Sequence, residues 1–444
     1  MGTIRGVIGI DFYHFWGVPV AKRLAGGALG PPYRHGARYV DTLAEYAAKA
    51  NDSKLTEARS VWTRPDFTGS PLLYTAFAVV SSSYTGSLVA FQTLQLSLFL
   101  GSFLLLGVLY RLDPFHLTCL ALLSVLFYQP LLSDVRVANL GCFQLAAFTG
   151  LALLAGAVAR APGFAWRATL GAVFLAALAA LTLCKPNVAV ISALLAAQLG
   201  VRHGGRLFIA SALPAAAAAA VLVGIPCVYF GSWTVWREWY EFVYGANAYM
   251  LVRPMAYGNF STALLVSSGL GLDIYAVSAG LMALLGASLL GAVIWSRATQ
   301  APVGAATLAG LRRVAGDPQM ALAIGIVLTM AGSPLYWLHY YVLMLIPILW
   351  LLGAPVSATY VAALAAVAMV TSSGMLALLV GWLGWPAAQP ASIALSWLPL
   401  WCAILLRIAS PDAEGVTARD AGFAKTRFTD ARAVVAPPSH RRKK

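Results

Sequence analysis

Four short stretches hold the side chains that could do chemistry. In IDFYHFWGVPVAKRL (10–24), Asp11 and His14 lie one helical turn apart among aromatic residues. CKPN (184–187) places Lys185 at the end of an apolar segment. The stretch WTVWREWYEFVYGANAYMLVRPMAYGNFS (233–261) gathers Trp233, Trp236, Trp239, Tyr240, Tyr244, Tyr249 and Tyr257 around Arg237, Glu238, Glu241 and Arg253. SPLYWLHYY (333–341) sets His339, beside Tyr336 and Trp337, between two apolar half-segments. A dry cleft holding these groups would contain a carboxylate, an imidazole, fixed cations and aromatic platforms. A carboxylate there can accept the proton of an attacking hydroxyl. Cations can stabilise the charge that develops on a departing phosphate, and aromatic faces suit sugar rings and the first isoprene units. That inventory suits sugar transfer from a lipid phosphate. No carboxylate cluster resembles a divalent-ion site, and Arg or Lys can stand in for an ion at a monophosphate, so no metal or other cofactor is required.

Each group also has a plainer reading. A lone Asp near a membrane surface is usually just solvated, and His14 can be no more than a hydrogen-bond neighbour of Asp11. Trp and Tyr clusters beside spans commonly form an interfacial belt. Arg237 and Glu241 are spaced i, i+4 and can be a simple helix ion pair. Lys185 can snorkel to the headgroups. His339 resists such a reading best, because an ionisable group inside an apolar hairpin is expensive.

The elements that must position these groups follow from composition. The 444 residues are 60% hydrophobic and only 10% charged, with a mean hydropathy of +0.77. A soluble domain carries about a quarter charged residues, so this chain could not cover a water-facing surface. Helices resolve the mismatch by satisfying their own backbone in hydrocarbon. The apolar stretches are long, continuous and rich in Leu and Ala, unlike the weak alternating strands of a porin. The expected class is therefore an all-α polytopic membrane protein.

A span needs about 20 apolar residues. On that measure helices fall near 85–109, 115–132, 138–158, 167–184, 187–201, 206–230, 273–296, 318–332, 339–353, 356–373 and 390–407, eleven crossings in all. Those at 187–201, 318–332 and 339–353 are short enough to be broken or re-entrant. Residues 1–69 read as a mixed-polarity segment with short helices, 70–407 as the transmembrane bundle with a long loop at 231–262, and 408–444 as a basic, disordered tail. The five cysteines, Cys119, Cys142, Cys184, Cys227 and Cys402, show no metal-like spacing and read as small apolar fillers.

The net charge of +14 fits cytoplasmic Lys and Arg better than a nucleic-acid partner. Alternate connections hold Arg111; Arg160 and Arg167; Arg202 and Arg206; Arg297, Arg312 and Arg313; and a tail ending in Arg441, Arg442, Lys443 and Lys444. The opposite set holds only Arg136, Lys185, Arg237 and Arg253. Threading the crossings through this pattern puts the C-terminus in the cytoplasm and residues 1–69 outside, together with all four chemistry-bearing stretches. A translocated N-terminal segment calls for a preceding span, so the reading expects an apolar segment upstream of Met1.

The order of these segments resembles the bacterial polyprenol-phosphate-mannose-dependent mannosyltransferases of glycosyltransferase family 87, which have the GT-C fold. The matching residues are Asp11-Phe12-Tyr13, the Pro-containing turn in FTGSPLLYTAF, Asn139 in RVANLG, Lys185-Pro186, Asn259-Phe260-Ser261, and Ser333, Pro334, Trp337 and His339. The chain differs from the family where Arg136-Val137 replaces a Gly-Gln pair and Gly69-Ser70-Pro71-Leu72 replaces a Tyr-Pro-Pro turn. The resemblance spans Asp11 to about Pro355.

It implies a GT-C-like bundle whose outward loops form the active site, in a bacterial cell membrane. Asp11 would be the general base and His339 its partner or an acceptor-positioning group. Lys185, with Arg237 or Arg253 as alternatives, would bind the donor phosphate. His14, Asn259, Tyr336 and Trp337 would contact substrate. The donor would be a polyprenyl-phosphate-linked sugar, most simply mannose, and the acceptor a glycolipid or glycan. Arabinosyl or glucosyl transfer by the same architecture is a near alternative. A secondary transporter would instead place ionisable residues near the midplane of repeated halves. A non-catalytic lipid-binding protein would tolerate loss of Asp11 and His339.

Overall fold

The computed structural model describes residues 8–61, 63, 65–246, 259–297, 303–353, 359–385 and 388–409. Among them there is no β-strand, only an isolated bridge between Asn259 and Trp337. The chain is an all-α polytopic membrane protein. Among the described residues six helices are long and apolar enough to cross a bilayer, or nine if each of three bent pairs counts as one span.

The N-terminal segment forms three helices, α1 (Ile10–Leu24), α2 (Pro32–Ala50) and α3 (Ser53–Val61), followed by a short α4 (Pro71–Ala76). The first of these is packed on nearly every face. Phe12, Tyr13, Phe15, Trp16, Val18 and Val20 are all buried, which an isolated amphipathic surface helix would not allow. Polar tips of its aromatics and their neighbours find partners: Trp16 Nε1 donates to the Ser81 carbonyl at 2.9 Å, and Tyr84 Oη donates to the Gly9 carbonyl at 2.8 Å.

The bundle begins with α5 (Tyr84–Leu109), whose start Ser83 caps. It continues through α6 (Pro114–Phe127), α7 (Gln129–Val137), α8 (Gly141–Arg160), α9 (Gly163–Cys184), α10 (Ala189–His203) and α11 (Gly205–Phe230). A short α12 (Val235–Tyr240) opens the aromatic stretch. Then come α13 (Thr262–Leu270), α14 (Ile274–Arg297), α15 (Val303–Gly316) and α16 (Pro318–Gly332). A 3-10 turn at Leu338–Met344 leads into α17 (Leu345–Gly353), and α18 (Thr359–Ser372), α19 (Met375–Trp382), α20 (Gln389–Ala394) and α21 (Trp397–Ala409) are the last elements of the described residues.

Each of the eleven expected stretches contains helix, but several are not straight crossings. α6 and α7 meet at 55°, residues 308–316 and α16 at 87°, and α18 and α19 at 65°. The causes are local. Pro130 opens α7, and Pro318 opens α16 after the cap Asp317, whose carboxylate accepts from the Gln319 and Met320 N–H groups. Gly374, at φ 80°, turns the chain between α18 and α19. α10 has 15 residues, roughly 22 Å of helix against a hydrocarbon core of about 30 Å.

Helix ends sort into two sets. At one end Tyr110 Oη donates to Gln319 Oε1 at 2.6 Å, Gln198 Nε2 donates to the Gly316 carbonyl at 3.1 Å, and the Arg407 guanidinium lies 4.4 Å from the Trp350 ring centroid. Arg111, Arg160, Arg167, Arg202, Arg206, Arg312 and Arg313 all sit exposed at this end. The other end carries α1 to α4, the α7–α8 turn, the α9–α10 turn, α12, and residues 333–341.

Candidate functional site: a carboxamide joining Asp11, His339 and Lys185

Four segments far apart in sequence meet at the second end. Asp11 stands in the first turn of α1. That helix starts where it does because Gly9, at φ 77°, donates its N–H to the Arg136 carbonyl at 2.7 Å. Asn139 follows α7, whose C-terminus turns through Ala138 at φ 54°. Lys185 leaves the end of α9 in an extended conformation, and Pro186 stops the helix from continuing. His339 lies in the 3-10 turn before α17 and is buried.

Asn139 is the junction. Its Nδ2 donates to Asp11 Oδ2 at 2.7 Å and lies 2.9 Å from His339 Nε2. Its Oδ1 accepts from Lys185 Nζ at 3.2 Å and from the Leu140 N–H at 2.6 Å. The charges fix the direction of this amide. Turned over, it would set its oxygen against a carboxylate and its N–H groups against an ammonium. The same orientation makes His339 Nε2 an acceptor, so the imidazole faces the amide in its neutral form. Asp11 and His339, over three hundred positions apart, are therefore no more than two hydrogen-bond lengths from one another.

Burial pushes the Asp11 carboxyl above its usual value of 3.8, because removal from water disfavours the charged form. The nearby His14, the Asn139 amide and the Lys185 ammonium oppose that rise, and Asp66 adds to it. An edge of Asp11 still reaches the surface, which a proton acceptor needs. The Lys185 ammonium also lies 5.7 Å from the Phe15 ring centroid and 5.4 Å from that of Tyr340, on aromatic faces that attract a cation. Among the described residues no group of three or more His, Cys, Asp and Glu side chains is placed to hold a metal ion.

The other expected site residues have different surroundings. His14 turns toward the segment after α3: its Nδ1 accepts the Asp66 N–H at 3.1 Å, and its Nε2 lies 3.9 Å from Asp66 Oδ2. Arg237 is exposed and paired with the exposed Glu241 at 3.4 Å, the plain i, i+4 contact that helix spacing allows. Arg253, Tyr249 and Tyr257 lie outside the described residues, as does the chain beyond 409.

Asn259, expected in the cleft lining, is instead fully buried. Its Nδ2 donates to the Pro334 carbonyl at 3.1 Å, and its Oδ1 accepts from the Ser261 N–H at 3.1 Å and the Tyr336 N–H at 2.9 Å. It ties residues 259–261 to the 333–337 turn and so holds up the His339 turn from behind. Tyr336 is also buried, with its hydroxyl donating to the Tyr340 carbonyl at 3.3 Å. Trp337 is half-buried and joins Asn259 through its backbone. Glu238 is buried beneath Arg34, 3.4 Å from its Nε, and accepts from Thr234 Oγ1 at 2.5 Å.

Three residues of this region carry no assignment from residue types alone. Asn139 stands out only through the family resemblance. Asp134 and Gln95, both buried behind Asn139, escape notice because each sits among other polar residues, Ser133 and Arg136 beside the one and Gln92, Thr93 and Ser97 beside the other. An acid beside a span is a signal in itself, and Asp134 could have been found by it. Gln95, uncharged in mid-helix, offers none. Set against protein-family models, curated proteins and solved structures, the chain matches none.

Proposed function

We propose that this protein is a membrane glycosyltransferase that moves a sugar, most simply mannose, from a polyprenyl-phosphate donor to a glycolipid or glycan acceptor. The observation that carries the reading is the joining of Asp11 and His339 by one Asn139 carboxamide whose oxygen is held by Lys185. Proton acceptor, neutral imidazole and fixed cation thus share one end of an apolar bundle. A transporter would place its ionisable groups nearer the middle of the spans.

In this reading the acceptor hydroxyl attacks the anomeric carbon as its proton passes to Asp11. The bond from that carbon to the phosphate oxygen breaks, and polyprenyl phosphate leaves with inversion. Lys185 offsets the charge that grows on the leaving oxygen. A base works best when its pKa approaches the working pH, and burial moves Asp11 in that direction. His339, whose Nε2 takes up one Asn139 N–H, holds that carboxamide and with it the Asp11 carboxylate in position for the incoming hydroxyl. The arginine-rich end faces the cytoplasm of a bacterial cell by the positive-inside rule, which leaves the site on the extracytoplasmic side of the cell membrane.

The test is to reconstitute the purified protein in vesicles with radiolabelled polyprenyl-phosphate mannose, glucose or arabinose and lipid extracts as acceptor. A labelled product that disappears with Asp11→Asn is expected. No product from any donor, or undiminished product with Asp11→Asn, overturns the reading.

A further inference from the structure

We propose that Asp134 and Gln95 are positioning residues, which hold the turn from 134 to 142 in the one shape that presents the Asn139 carboxamide to Asp11, His339 and Lys185. The kinetic part of this proposal rests on the transferase reading above.

Asp134 is fully buried, and each oxygen of its carboxylate accepts from a backbone N–H. Its Oδ1 accepts from the Gly141 N–H at 2.9 Å and its Oδ2 from the Cys142 N–H at 2.9 Å. These are the first N–H groups of α8, which have no partner within the helix and lie at the positive end of its dipole. The Asp134 carbonyl in turn accepts the Asn139 N–H at 3.1 Å. One residue thus fastens both sides of the turn around Ala138.

Gln95, from the middle of α5, closes the turn from outside. Its Nε2 donates to the Asn139 carbonyl at 2.7 Å, and lies 3.1 Å from Asp134 Oδ2 and 3.2 Å from the Asp134 carbonyl. Gly141 shows how little room the arrangement leaves. A Cβ there would stand 2.7 Å from Asp134 Oδ1 and 3.0 Å from the His339 carbonyl oxygen. The lack of a side chain at Gly141 therefore lets the Asp134 carboxylate and the His339 turn both close on the start of α8. Ordinary apolar packing would secure a helix junction with less desolvation. What the buried carboxylate adds is direction: it fixes where the next carboxamide points.

The experiment compares Asp134→Asn, Gln95→Met and Asn139→Ala, alone and combined, in reconstituted vesicles with labelled polyprenyl-phosphate mannose. Turnover is counted per monodisperse folded molecule. Asp134→Asn keeps the shape but sets an amide N–H against a helix N–H. It is expected to lower kcat by roughly tenfold to a hundredfold, the scale of a small misplacement at a reacting centre. Donor KM should stay within about twofold, since ground-state binding is untouched. Gln95→Met leaves the α8 start capped and should lower kcat by about threefold to tenfold. Neither change should lower kcat further once Asn139→Ala is present, because both act through that residue.

A second readout needs no substrate. The chain has six histidines, and the 15N resonance of His339 Nε2 reports its bond to Asn139. That resonance should move in Asp134→Asn and in Gln95→Met. Unchanged kcat per folded molecule, or losses that add in full to that of Asn139→Ala, overturns the proposal. If Asp134→Asn does not fold, Gln95→Met carries both readouts. If the wild type turns over no donor, the transferase reading falls, and an unmoved His339 resonance then overturns the positioning role by itself.

Discussion

The two ends of the helix bundle treat charge in opposite ways. At one end seven arginines lie exposed. The acids there serve as helix caps: Asp113 Oδ1 accepts from the Phe115 and His116 N–H groups, and Asp317 does the same for α16. At the other end many charged side chains are exposed too, among them Arg237 and Glu241, but Asp11, His339 and Lys185 are drawn inward and tied to one another through a neutral amide. Exposed guanidinium groups at a bilayer edge keep their water and need no particular neighbour. A carboxylate, an imidazole and an ammonium with little water must each have a specific one. Charge is thus interchangeable at the arginine end and individually addressed within the Asp11, His339 and Lys185 site.

The sharpest way to break this contrast is to remove single charges at both ends. Asp11→Asn keeps size and shape but cannot take a proton, so transfer should fall by roughly a hundredfold to ten-thousandfold. Adding His339→Ala should cost little more than the worse single change if the two groups act on one step. Arg160→Gln and Arg202→Gln, at the far end, should leave turnover per folded molecule unchanged. Equal losses at both ends, measured by product formation in vesicles, would erase the distinction.

A smaller contrast lies between two cations of the site end. Lys185→Met removes the ammonium bonded to Asn139, whereas Arg237→Met removes only an exposed ion pair. The first should raise donor KM by about tenfold or more, and the second should change it by less than about twofold. A reversed order would hand the phosphate-binding role to Arg237.

The pH dependence sharpens the account of Asp11. Its folded pKa is raised by burial, so the folded state holds this proton more tightly than the unfolded chain does. Stability from this group is fully present below the unfolded pKa and is lost as pH rises through the folded pKa. Activity runs the other way, because only the ionised carboxylate accepts a proton. The acidic limb of the rate profile should therefore lie above the ordinary carboxylate value of 3.8. Over the same interval the melting temperature should fall in the wild type but not in Asp11→Asn. A rate that is flat across that interval would remove Asp11 as the base.

The smallest effect concerns support. Asn259→Ala leaves the Tyr336 and Ser261 N–H groups without their acceptor and should cost roughly 1–3 kcal/mol of stability. Thermal melts should show this loss at any pH, while turnover of the molecules that stay folded changes little. A large loss of turnover at unchanged stability would return Asn259 to the cleft.

Composition alone was enough to decide the solvent. A chain with so few charges and such long Leu and Ala runs has to satisfy its backbone inside helices, and every expected span does contain helix. Arginine spacing likewise sorted the helix ends, since Arg111, Arg160, Arg167, Arg202, Arg206 and Arg313 do gather at one end. Both properties are sums over many residues, so local errors cancel. The bends were less legible. Whether 318–332 crosses alone or turns by 87° against its neighbour depends on how a proline and a cap are packed, not on hydropathy.

Residue type also pointed to Asp11, Lys185 and His339 as the groups that could do chemistry, because a carboxylate, an ammonium and an imidazole are conspicuous in apolar surroundings. Only the tertiary structure decided that one Asn139 amide joins them and that Asn259 is a buried clamp, whereas the Arg237–Glu241 pair is local and follows the helix spacing. The first rests on contacts between α1, the α7–α8 turn, the α9–α10 turn and the turn before α17, and the second on contacts between residues 259–261 and the 333–337 turn. The reason is physical: the period of a helix orders residues a few positions apart, and nothing in it records which distant turn will supply a hydrogen-bond partner.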